Sequence, residues 1–207
     1  MFRKLFDPDS GLMITFTQIT DCVFLSLFWF LGCFPLFTAG ASCAALYDSV
    51  HHCFRKGGRK PWARFFSTFL RDLKASLIPN LLFLAALWFG GKGMIGLWNS
   101  AVAGALSWGV FAGVAFLAVT VLGILSVLFP LLSRFDNPLP VLLKNTLLLA
   151  LVNMPRTLAL GLLNLLSAWL CLRWIFPLFF LPALSSLIST LLLEPMFKPY
   201  MNEENAA

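Results

Sequence analysis

The stretch Trp29-Phe30-Leu31-Gly32-Cys33-Phe34-Pro35-Leu36-Phe37-Thr38-Ala39-Gly40-Ala41-Ser42-Cys43-Ala44-Ala45-Leu46-Tyr47 carries no charge and is interrupted by Pro35 and Gly40. It is either one long membrane span or two helices joined by a tight turn, and the choice fixes the sidedness of everything that follows. Pro35 has no backbone N–H and disfavours helix in the residue before it, while Thr38 is suited to N-cap a returning helix. Two helices are therefore expected, at about 12–31 and 38–54, with a short external turn near Gly32 to Phe37. The run around Gly40 is rich in small residues, which in lipid favours close approach of backbones. The second helix, ending past Tyr47, is expected in the bundle interior.

Charge placement supports two crossings. The segment from His51 to Lys74 holds Arg55, Lys56, Arg59, Lys60, Arg64, Arg71 and Lys74 against the single acid Asp72. Basic loops stay on the cytoplasmic side of a membrane, and Arg3 and Lys4 precede the first helix. A single crossing would place the two basic segments on opposite sides, whereas a pair of crossings keeps both inside.

Composition defines the class. With 59% hydrophobic and 12% charged residues and a mean hydropathy of +0.86, the chain lies outside soluble domains, about a quarter of whose residues are charged. Its charge-free runs mostly approach or exceed the roughly 20 apolar residues that a spanning helix needs, and they lack the polar alternation of a barrel strand. The expectation is an all-α, polytopic transmembrane bundle of about six spans, forming one domain over residues 1–207. No cleavable leader is expected, because Asp7, Pro8 and Asp9 stand where its apolar core would be. The five cysteines show no paired spacing and read as small buried hydrophobes.

From Pro61 to Lys74, apolar residues at 62, 65, 66, 69, 70 and 73 repeat at helical spacing. This predicts a basic amphipathic helix lying in the cytoplasmic interface, with Trp62, Phe65 and Phe69 toward lipid and Arg64, Arg71 and Lys74 off that face, a surface for lipid or a docking partner. A span follows at about 75–92, then an external loop, a span at about 104–132, one at 140–172 kinked near Pro155, and a last at about 174–194. Lys92 and Arg173 then lie outside; Arg134, Lys144, Lys198 and both termini lie in the cytoplasm. Ala105, Gly109 and Gly113 form a small-residue stripe on which another helix, or a second copy of the chain, is expected to pack.

Chemistry is sparse. No nucleophile with a base, phosphate loop, paired carboxylates or metal-ligand spacing is present, so neither catalytic residues nor a metal, cofactor or nucleic-acid partner is expected. Ionisable residues at membrane depth are costly and face the bundle or the interface. Asp21 is expected either to pair with Arg134 or Arg156, or to reach water at the interface.

Phe28-Trp29, the run from Pro35 to Tyr47, Phe65-Phe66-Ser67-Thr68-Phe69, Phe129-Pro130-Leu131-Leu132-Ser133-Arg134-Phe135-Asp136 and Lys144-Asn145 together resemble the YesL-like family of bacterial membrane proteins, in order and over most of the chain. Ala39 and Ala41 depart from it, standing where the family pattern has a bulkier aliphatic residue and a proline. The resemblance implies a protein of the cytoplasmic membrane without an assigned activity, often encoded beside sugar-uptake ABC transporters. The expected function is a non-catalytic accessory to carbohydrate uptake that contacts permease subunits, with Asp136 and Arg134 at a cytoplasmic corner of the docking face. The alternative is a bundle that itself moves a small solute or lipid through a cavity between helix two and the kinked helix five.

Overall fold

Apolar runs punctuated by proline and glycine dictate seven helices in the computed structural model, which describes residues 11–58, 60–104, 107–135 and 138–204, with side chains from Phe16 to Lys198. They are α1 (Gly11–Cys33), α2 (Ala39–Val50), α3 (Pro61–Val102), α4 (Trp108–Arg134), α5 (Leu139–Val152), α6 (Met154–Arg173) and α7 (Leu181–Glu204). No strand occurs among the described residues. Four of these helices, α1, α3, α4 and α6, are long and apolar enough to cross a membrane. The 12 residues of α2 and 14 of α5 fall short of that length. Arg3, Lys4, Arg59, Ala105 and Asp136 lie outside the described residues.

Pro35 opens a short 3-10 turn, Leu36–Thr38, between α1 and α2. Thr38 stands at the N-cap of α2 but its side chain makes no capping bond there. The hydroxyl turns back instead, donating to the carbonyls of Gly32 at 2.6 Å and Pro35 at 2.8 Å. It thereby satisfies an orphan carbonyl at the end of α1. Ten of the twelve residues of α2 are buried, and a Cβ on Gly40 would meet the Phe129 ring and the Asn80 side chain. The small residues let α3 and α4 close on α2.

The largest departure from the sequence reading is α3. The interfacial segment, the following span and the expected loop at 93–103 form one helix of 42 residues, about 63 Å long at 1.5 Å per residue. Lys92 does not end it, because one exposed lysine breaks no backbone hydrogen bond; its ammonium lies 4.7 Å from the centre of the Trp88 ring. Pro79 is accommodated inside the helix. The helix stops at Gly104, whose φ of +74° is the left-handed conformation that glycine adopts at a helix end. Its N–H donates to the Ala101 carbonyl.

Two further boundaries differ. The kink expected near Pro155 is a break at Asn153, whose backbone leaves the helical region; its carbonyl accepts from the N–H groups of Arg156 and Thr157. The Thr157 hydroxyl donates to the Ala150 carbonyl, which the break has freed. The last helix begins at Leu181 rather than Trp174, because Pro177 falls in a 3-10 turn, Phe176–Phe179.

One apolar cluster joins Tyr47 to Val127, Leu128 and Leu131 of α4, Leu142 and Leu149 of α5, and Leu193 and Phe197 of α7. A second gathers Leu25, Leu46, Val50, Phe65 and Ala183. Beyond these, the outer half of α3 and the start of α4 form an arm. Its tip is closed by Trp98, Trp108 and Phe111, edge to face at centroid distances of 5.6–6.0 Å.

The small-residue stripe does not hold a helix within the chain. A Cβ on Gly113 would meet nothing within 4 Å, and one on Gly109 only the Ser107 hydroxyl. The close crossing lies elsewhere, where α6 meets α4: a Cβ on Gly123 would strike the Thr157 carbonyl and one on Gly161 the Val119 carbonyl. Gly123→Ala is therefore expected to lower the unfolding free energy in detergent by about 1–3 kcal/mol through forced separation of the two helices. Gly113→Ala should leave it unchanged, and equal midpoints for the two variants in thermal unfolding would contradict this assignment.

Candidate functional site: a polar layer at one end of the bundle

The last turns of α2 present Tyr47 and His51 four residues apart on one face, and Asp48 on the next. All three are buried. Each meets a charge or a hydroxyl from another helix.

On the first face stands Glu194 of α7. Its Oε1 accepts from Arg134 Nη2 at 2.6 Å and from the Tyr47 hydroxyl at 3.2 Å, and lies 3.0 Å from His51 Nε2. His51 opens a π-helical turn, His51–Arg55, beyond α2. Its Nε2 lies between Glu194 Oε1 and Arg134 Nη2, 3.5 Å from the latter, and its ring stacks parallel to Tyr47 at 6.2 Å. A guanidinium, a phenol and an imidazole thus converge on one carboxylate oxygen.

On the second face Asp48 receives Arg64 in a bidentate fork, Nε at 2.5 Å and Nη2 at 3.1 Å, together with the Thr68 hydroxyl at 2.7 Å. One turn further along α3, Arg71 forks onto the adjacent Asp72 at 2.7 and 3.0 Å. It also donates to the Ser133 carbonyl at 3.0 Å. That carbonyl belongs to the last turn of α4, where no intrahelical donor remains.

These contacts revise the reading of the basic segment. Phe65 and Thr68 face inward, while Arg64 and Arg71 are paired with carboxylates and yet keep 41% and 48% of their side chains exposed. Outward remain Trp62, Phe66, Leu70 and Lys74, with Phe69 half-buried. The periodicity that defined one apolar stripe cannot tell a bundle face from a lipid face, and here both occur on the same helix.

Asp21 pairs with neither expected arginine. Its Oδ1 accepts the Trp62 indole N–H at 3.0 Å, because the middle of α1 lies beside the start of α3. Arg134 is taken by Glu194, and Arg156 Nη1 donates to Asn153 Oδ1 at 3.2 Å. The sequence reading did not single out Glu194, His51 or Thr68 for this layer. One signal was available: Glu194 is the sole acid between Asp136 and Glu203, and a lone acid at the end of an apolar helix needs a partner.

Chemically the layer is a clamp. Its cations and carboxylates neutralise one another, and no group of three or more metal-binding side chains occurs among the described residues. Removing Glu194 deprives the partly buried Arg134 of its carboxylate and costs about 2–3 kcal/mol, whereas Tyr47→Phe gives up one long hydrogen bond to that carboxylate and costs about 1 kcal/mol. Glu194→Ala should therefore destabilise the protein in detergent far more than Tyr47→Phe, and pairing with Arg134→Leu should recover part of the loss. If the double variant is no more stable than Glu194→Ala alone, the coupling is wrong.

The chain matches no family model, no curated protein and no solved structure, so its function must be argued from this layer and from the arm.

Proposed function

We propose that the protein is a multi-pass component of the cytoplasmic membrane, with six membrane-embedded segments and both termini in the cytoplasm. It acts as a non-catalytic accessory to ABC-type carbohydrate uptake by docking on permease subunits. The observation that carries this reading is the arm. Gly90, Gly91, Gly93, Gly96 and Gly113 have open space where a Cβ would project, and Ile95, Trp98, Trp108 and Phe116 are exposed around them. Small residues flanked by large apolar ones suit the close packing of a helix from another membrane protein. The sequence resemblance supplies the system to which that partner belongs.

The charge pattern supports the orientation, because Arg55, Lys56, Lys60, Arg64, Arg71 and Lys74 lie at or near the start of α3, whereas the arm is at its far end. Transport through the bundle has less support. The helices packed on α2 are chiefly α1, α3, α4 and α7, and where α2 comes toward α5 an apolar cluster of Tyr47, Leu142 and Leu149 fills the space.

Affinity purification from gently solubilised membranes should recover sugar-permease subunits, identified by mass spectrometry. Gly113→Leu, whose Cβ would meet nothing within 4 Å, should abolish the recovery while leaving the unfolding midpoint as in wild type. Recovery of no permease subunit from wild type, or equal recovery with Gly113→Leu, would refute the reading. Recovery of a second copy of the chain alone would redirect it to self-association through Gly109 and Gly113.

A further inference from the structure

Two of the five free cysteines, Cys33 and Cys43, have thiols within hydrogen-bonding reach of each other. Cys33 ends α1 and Cys43 opens the second turn of α2. The 3-10 turn Leu36–Thr38 folds them together across ten residues.

Neighbouring side chains measure the approach. A Cβ on Gly32 would stand 3.3 Å from the Ser42 Cβ. The Cβ atoms of a disulfide are about 3.5–4.5 Å apart, so at this level the two helices are as near as a disulfide requires. Trp29, one turn before Cys33 on the same face of α1, donates its indole N–H to Cys43 Sγ at 3.4 Å. Cys43 thus meets both Trp29 and Cys33, and the indole holds its sulfur toward α1. Both cysteines are partly exposed, and the neighbouring Phe34 is 84% exposed, so the pair stands at the open end of the helical hairpin. No third metal-binding side chain joins them among the described residues, which points to sulfur–sulfur chemistry rather than a tetrahedral metal site.

We infer that Cys33 and Cys43 are a redox-active dithiol, oxidised to an intramolecular disulfide by thiol–disulfide exchange. The oxidant is a second disulfide, R–S–S–R. The Cys33 thiolate, at the helix end beside the exposed turn, attacks one of its sulfurs and expels R–S⁻, leaving a mixed disulfide on Cys33. Cys43 then attacks the Cys33 sulfur, the S–S bond of the mixed disulfide breaks, and the second R–S⁻ departs. The two cysteine protons pass to the two released thiolates, so one dithiol is oxidised and one disulfide is reduced to two thiols. The product ties the last turn of α1 to α2. Neither the membrane orientation nor the accessory role is needed for this chemistry.

The test uses the full-length protein in phospholipid nanodiscs, incubated with glutathione disulfide, alkylated with N-ethylmaleimide and digested with chymotrypsin for mass spectrometry. In wild type, Cys33 and Cys43 should lose alkylation together and reappear as one cross-linked peptide, while Cys22, Cys53 and Cys171 stay alkylated. Dithiothreitol should restore both thiols. Cys43→Ser, which leaves nothing to resolve the mixed disulfide, should accumulate glutathione on Cys33. Undiminished alkylation of Cys33 and Cys43 at every glutathione disulfide concentration, or Cys43→Ser without glutathione on Cys33, would overturn the inference. So would glutathione spread evenly over all five cysteines, or a link from either residue to another cysteine or to a second copy of the chain.

Discussion

The bundle closes on the carboxylate of Glu194. A charge among apolar helices is tolerated only when it is paired and hydrogen-bonded, and here an arginine from α4, a phenol from α2 and the imidazole of the turn just beyond α2 gather on one of its oxygens. That requirement fixes the rotation of α2, since Tyr47 and His51 must both face α7. With α2 so turned, Asp48 can face only α3, which meets it with Arg64 and Thr68. Four helices are thus held in register by polar contacts, and the Leu, Val and Phe clusters fill the volume between them.

The second constraint is length. At about 63 Å, α3 is roughly twice the ~30 Å thickness of a hydrocarbon core. Its first third carries the paired arginines, its middle packs under α2 at Gly40 and Asn80, and its outer half leaves the bundle with α4. One continuous rod therefore connects the polar layer to the arm. The 3-10 turn after α1 rests against that rod through the bond from Asn80 to the Leu36 carbonyl, so the α1–α2 pair and the arm share a mechanical support.

Much of the class was legible in the sequence, because hydropathy and charge frequency report directly on the solvent a chain prefers. The all-helical membrane character followed from that alone. Helix ends were less legible: Lys92 looked like a boundary and is not, while Gly104 was one, since backbone conformation rather than side-chain charge ends a helix. Partners were the least legible. The pairing of Arg134 depends on how α7 returns across the bundle, which no local pattern encodes, and Asp21 lost that arginine to an acid 173 residues further along. Glycine spacing misled for the same reason: the conspicuous Gly109 and Gly113 face open space, whereas the solitary Gly123 and Gly161 meet at a crossing.

The contacts of the polar layer also differ in when they can form. Asp48 meets Arg64 only 16 residues away, but Arg134 waits 60 residues for Glu194 and Tyr47 waits 147. A chain is made from its N-terminus, and its early parts fold first. During synthesis the first three helices can therefore lock while the guanidinium of α4 still faces an empty place. Only the last helix to emerge neutralises it. A chain cut short before α7 would carry an unmatched cation among apolar helices, a chemical mark of incompleteness that a membrane quality-control protease could read.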